Sequence, residues 1–130
     1  MFKTLPAMES TFTIDVEGTE TRQKFQGTFV YRKPNLRVKS EIARTLALLN
    51  GGMSNLDEDA VLLHNVLATL KHTLVESPEW WKKADFGFEL YDLNVVFEIY
   101  KSCSEFEAKW MKQVWADESK ESSSKEASKQ

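Results

Sequence analysis

Few residues in this sequence have the types and spacing that chemistry demands. The nitrogen and sulfur donors available to a metal are His64, His72 and Cys103 alone, whereas a metal site draws on several convergent ligands. His64 and His72 stand eight residues apart. That is about two helical turns, too far for one ion to bridge, so both read as ordinary histidines of a helix surface or core. Asp57-Glu58-Asp59 lacks the glycine-containing, alternating loop of an EF-hand, and acidic residues opening a helix explain it sufficiently. Nucleophilic catalysis needs a nucleophile, a base and an orienting group within reach of one another, and no Gly-x-Ser-x-Gly turn surrounds any serine. Cys103, between Ser102 and Ser104 in a helical stretch, reads as a packed thiol. Neither GxGxxG nor GxxxxGK followed by Ser or Thr occurs, and Gly51-Gly52 reads as helix punctuation. The expectation is a chain with no catalytic residue, no cofactor and no metal, which is not an enzyme.

Residues suited to binding other macromolecules are better represented. Trp80, Trp81, Phe86, Phe88 and Tyr91 crowd one short irregular stretch. Trp and Tyr suit interfaces because they supply contact area with few rotamers to freeze, so these five are candidate partner-binding residues. The alternative is that they plug the domain's own core between two helices. Arg32, Lys33, Arg37, Lys39 and Arg44 form a candidate basic patch with only Glu41 of opposite sign among them. It reads as a solvated junction or as a surface for an acidic protein or nucleic acid. No RRM, KH or zinc-finger signature accompanies it, which weakens the nucleic-acid version.

Composition bounds both ideas. The formal net charge of −3 supplies no global field for gripping nucleic acid. A length of 130 residues leaves room for one domain with one core. Eight Phe, four Trp and three Tyr each bury roughly 150 to 250 Å² when enclosed, more than so small a domain easily hides, so some rings are expected to face a partner. A single cysteine cannot close an internal disulfide, the opening residues lack the apolar run of a signal peptide, and no stretch has the length of a membrane span. The expected location is a reducing cytoplasm.

The elements that must position these residues follow from periodicity. From Thr11, Phe12, Ile14 and Val16 alternate with Thr13, Asp15 and Glu17, which is the signature of a half-buried strand. A second run, Gln23 to Lys33, puts Phe25, Phe29 and Tyr31 on one face, so the two predict an antiparallel hairpin in which Ile14 faces either Phe25 or Gly27. A lone hairpin is marginal in water and must lie on helices or join strands of another copy. After Pro34 the spacing turns helical until Asn50-Gly51-Gly52, and Asp57-Glu58-Asp59 opens a second helix with Leu63, Val66, Leu67, Leu70 and Leu74 as its stripe. Ser77-Pro78 reads as the cap and first turn of a short helix, and Ala84 to Tyr91 as a loop or turn. Asp92 reads as the cap of a long final helix reaching about Trp115, with one face of Leu93, Val96, Phe97 and Tyr100 and another of Ile99, Phe106, Trp110 and Val114. Beyond it the chain is Ser, Lys and Glu without a large apolar residue. The expected fold class is α+β: a flexible N-terminus over 1–9, one domain over 10–115 built from an N-terminal β-hairpin and three to four helices, and a disordered polar tail over 116–130.

This layout, together with Pro78-Glu79-Trp80-Trp81 and the run Asp92-Leu93-Asn94-Val95-Val96-Phe97-Glu98-Ile99-Tyr100, resembles the tail assembly chaperones of long-tailed, siphovirus-type bacteriophages. The resemblance spans roughly residues 10–130 and transfers no individual functional residue. It implies a non-catalytic, cytoplasmic protein of the infected host cell that keeps the tape-measure protein soluble until tail-tube protein polymerises around it, with self-association and a frameshifted longer form as further implications. Competing expectations are another phage structural adaptor, such as a head-tail joining protein, a small nucleic-acid-binding regulator using the basic patch, and last a small enzyme.

Overall fold

The computed structural model describes residues 3–51 and 56–128, with side chains described as far as 116. The chain is α+β. Strands β1 (Glu9–Glu17) and β2 (Lys24–Arg32) are followed by helices α1 (Leu36–Asn50) and α2 (Glu58–Thr73). A short strand β3 (Leu74–Glu76), a short helix α3 (Glu79–Lys83) and the long helix α4 (Leu93–Ser128) complete it. The hairpin register puts Ile14 opposite Gly27 and Val16 opposite Phe25. One face of the sheet carries Phe12, Ile14, Val16, Phe25, Phe29 and Tyr31 into the core, and the other carries Thr, Lys, Asp and Glu into solvent.

The sheet is three-stranded, in the order β1-β2-β3, where the sequence predicts two strands. Leu74 to Glu76 reads as the last turn of α2, since Leu74 continues that helix's apolar stripe. Thr73, fully buried, ends the helix, its hydroxyl donating to the Thr69 carbonyl at 2.7 Å, and the next residues turn extended alongside β2. Tyr31 faces Leu74 and Val30 faces Glu76, so β3 steps two residues while β2 steps one, and the extra residue, Val75, is half exposed.

α1 is capped at its start by the Asn35 side chain, which accepts from the Val38 N–H at 2.9 Å, and at its end by Gly51, whose N–H donates to the Ala47 and Leu48 carbonyls. Helix α3 begins one residue later than Ser77-Pro78 suggests: Pro78 is itself the cap residue, and its carbonyl accepts from Trp81 and Lys82. Helical backbone in α4 continues to Ser128, past the expected end near Trp115. Residues 129–130 and the side chains of 117–128, on which much of the expected tail falls, lie outside the described residues.

The core sits between the sheet and the helices. Trp81 is completely enclosed, edge-on to Phe29 at 5.8 Å between ring centres, and Phe29 also stacks on Phe12 at 5.5 Å. Val66, Leu67 and Leu70 of α2 and Val95, Val96, Ile99 and Cys103 of α4 close around this pair. Further along α4, Glu107 accepts from the Tyr31 hydroxyl at 2.6 Å and from Lys33 Nζ at 2.7 Å, and the same ammonium lies 4.3 Å from the centre of the Trp110 ring.

Candidate partner-binding groove

The segment joining α3 to α4 is shaped by Trp81. Asp85, Phe86 and Gly87 are three consecutive residues in the left-handed region, with φ of 51°, 55° and 94°. For a non-glycine residue that conformation is uncommon and costs of order 1 to 3 kcal/mol, so the surroundings must enforce it. They do: Phe86 N–H donates to the Trp81 carbonyl at 3.0 Å and Glu89 N–H to the Ala84 carbonyl at 2.9 Å, wrapping the chain over the indole. A side chain at position 87 would place its Cβ 2.5 Å from Trp81 Cη2, so only glycine passes.

The wrapped segment ends on Asp92, which is buried. Instead of capping α4, as its position suggests, its carboxylate reaches back to the turn between β1 and β2. Oδ1 accepts from the Glu20 N–H at 2.7 Å and the Thr21 N–H at 2.9 Å, and Oδ2 accepts from the Thr21 hydroxyl. Asn94 extends the grip, accepting from the Thr19 N–H at 3.1 Å and donating to the Glu17 carbonyl at 2.9 Å. Gly18 lies against the carboxylate so closely that any Cβ there would overlap it. The Thr21 hydroxyl bond, with the two backbone N–H groups, holds the Asp92 carboxyl below the ordinary carboxylate range, against the opposing effect of burial.

Between this segment, α2 and α4 lies a groove of about 240 Å³. Leu63 and Leu67 line it from α2, Leu93 and Val96 from α4, and Phe88 and Leu90 from the wrapped segment. Two of its residues stand far into solvent, Tyr91 at 78 % exposure and Leu93 at 50 %. In sequence, Asp59 precedes Leu63 by one helical turn and Glu89 lies between Phe88 and Leu90, both exposed and neither with an ion-pair partner among the described residues. An apolar concavity with a projecting aromatic rim suits the apolar stripe of another protein's helix.

The five aromatic candidates therefore divide. Trp81 belongs wholly to the core, and Trp80 is half-buried on Phe25 and Phe29 with its indole N–H donating to the Gln26 carbonyl at 2.9 Å. Phe88 and Tyr91 line the groove, and Phe86 is exposed on the strained turn. Of the five basic candidates, Lys33 is committed to Glu107 and Trp110, while Arg32, Arg37, Lys39 and Arg44 are exposed. Sequence reasoning missed Leu63, Leu67 and Leu93 as groove residues because they sit on stripes that read as core.

Cys103 is buried and its thiol is pushed up to about 12 by burial and by the Glu107 carboxylate, which keeps it protonated and unreactive at neutral pH. No cluster of metal-ligating side chains occurs among the described residues, and no helix among them is long and apolar enough to cross a membrane. Comparison with protein-family models, with curated proteins and with solved structures finds no match to this chain.

Proposed function

We propose that this chain is a non-catalytic protein-binding protein, specifically a tail assembly chaperone of a long-tailed bacteriophage. It acts in the host cytoplasm to hold apolar helical segments of the tape-measure protein until tail-tube protein encloses them. The single observation that carries the binding reading is the apolar groove with Tyr91 and Leu93 exposed at 78 % and 50 %. A soluble protein leaves such rings in water at a cost in solubility, which a partner's coverage removes. The phage assignment is supported by the resemblance in layout and in the Pro78–Trp81 and Asp92–Tyr100 runs.

The test is co-expression with a tape-measure protein from a siphovirus-type phage, reading the soluble fraction of the latter. The wild-type chain is expected to keep it soluble and co-purify with it. Tyr91→Ala with Leu93→Ala is expected to lose both effects while its thermal melt stays unchanged, because both side chains are exposed. A tape-measure protein equally insoluble with and without the wild-type chain overturns the chaperone assignment. One rescued equally by the variant overturns the groove.

A further inference from the structure

The sheet has one edge that is blunted and one that is not. On the β3 side the strand is three residues long and bulged at Val75, two devices that discourage a further strand. On the other side β1 runs nine residues in unbroken register with β2 and contains neither proline nor lysine. Its charged residues, Glu9, Asp15 and Glu17, are all acidic.

The hydrogen bonds at the two ends of β1 fix which groups this edge offers. Lys33 N–H donates to the Met8 carbonyl and Gly18 N–H to the Gln23 carbonyl, each at 2.8 Å. Bonds from β1 to β2 therefore run through its even-numbered residues, and the N–H and C=O groups of Glu9, Thr11, Thr13, Asp15 and Glu17 point away from the sheet. Asn94 holds the Glu17 carbonyl at 2.9 Å, while the outward backbone groups of Glu9, Thr11, Thr13 and Asp15 have no partner among the described residues. All of these residues are exposed, and on the inner face Phe12 and Val16, at the margin of the core, are only half-buried. A strand laid beside β1 would bond the first set and cover the second.

Charge selects the occupant. An added strand places its side chains directly across from those of β1, at about 4.5 to 5.5 Å between Cβ atoms. On β2, Lys24 faces Glu17 and Arg32 faces Glu9, yet neither closes to an ion pair among the described residues. A second copy of this chain fits poorly, because antiparallel pairing of β1 with β1 along its whole length sets each Glu9 against a Glu17. We propose that the open edge of β1 takes an extended segment of another protein as a fourth strand. That segment carries lysine or arginine at alternate positions, across from Glu9, Asp15 and Glu17, and apolar residues between them over Phe12 and Val16. This surface uses none of the residues of the groove between α2 and α4, and it rests on neither the groove nor the tape-measure assignment.

The probe is a peptide of the length of β1 that alternates lysine and valine. Its binding to the full chain is read by fluorescence anisotropy and its place by hydrogen exchange. Saturable binding that weakens with salt is expected, with slowed exchange at the Thr11, Thr13 and Asp15 amides. A glutamate-valine peptide is expected to bind at least about tenfold more weakly, and Asp15→Lys with Glu17→Lys to reverse that order. Thr13→Pro removes an outward N–H and leaves the bonds to β2 in place, so it is expected to abolish binding. The charge reversal, at exposed positions, decides the matter if that variant fails to fold. Tyr91→Ala with Leu93→Ala is expected to bind the peptide as wild type does, and a loss there would move the site to the groove and overturn the proposal. Absence of saturable binding, equal binding of the two peptides, slowed exchange at other amides instead, or binding that survives Thr13→Pro in a folded chain overturns it as well. So does slowed exchange of the same amides in the chain alone that grows with its own concentration, which would assign the edge to a second copy.

Discussion

The two flanks of α2 are held by opposite strategies. One, with Val66, Leu67 and Leu70, is sealed against Phe29 and Trp81 in a core where several side chains have no exposure at all. Its other flank carries α1, a helix of 15 residues with no buried residue, whose apolar stripe is only half covered. Polar links from His64 and His72 supplement that thin contact. Stability concentrates where large rings interlock, and binding surface is left where they do not. The strained turn at residues 85–87 is anchored on Trp81 and leaves Phe86 exposed.

The most severe way to break this contrast is Trp81→Ala. Emptying so enclosed a site costs about 3 to 5 kcal/mol, a large share of the roughly 5 to 15 kcal/mol that holds a domain together, and a urea melt is expected to show a midpoint far below that of the wild type. Trp81→Phe sharpens the reading. The indole N–H is buried without a hydrogen-bond partner, so the smaller ring keeps most of the packing and loses no bond, and the melt is expected to shift by much less. Next comes Gly87→Ala, where a left-handed φ and the contact with Trp81 act together. A loss of about 2 to 3 kcal/mol in the same melt is expected, and a neutral result would mean the turn relaxes freely.

Asp92→Asn is expected to lower the melting temperature at neutral pH. The folded carboxyl titrates below its ordinary value, so its contribution is fully present above that ordinary value and disappears as pH falls through the lower folded one. The gap in melting temperature between wild type and variant should close on acidification through that window. The smallest effect belongs to α1: Ile42→Ala, at a half-buried position, is expected to cost about 1 kcal/mol or less. Native-state hydrogen exchange should show α1 amides opening well before those of Val66 to Leu70, and equal protection in both would erase the contrast.

Much of this arrangement was legible in the residues. The alternation of Phe12, Ile14 and Val16, the Asn50-Gly51 stop and the Phe, Leu and Val spacing of α2 and α4 each report a local period, and local periods survive into the fold. What escaped was decided at a distance. Leu74 to Glu76 continues a helical stripe and becomes strand only because β2 offers an open edge. Asp92 has the position of a helix cap, and its carboxylate is drawn instead by N–H groups more than seventy residues away. Ala84 to Tyr91 reads as a loop or turn and is one, but the three left-handed residues that wrap it around Trp81 leave no period to read. The groove was visible only in part, through Phe88 and Tyr91, because an apolar residue on a stripe does not announce whether its own chain or another will cover it.

The grip of Asp92 on Thr21 spans 71 residues, and a chain is made from its N-terminus. At about 5 to 20 residues per second, roughly 4 to 14 s separate synthesis of the hairpin turn from synthesis of the side chain that secures it. During that interval β1 and β2 must leave the ribosome without α4 beneath them, their inner faces of Phe, Ile and Tyr uncovered. The newborn hairpin is then itself a client for whatever folding help the cell supplies.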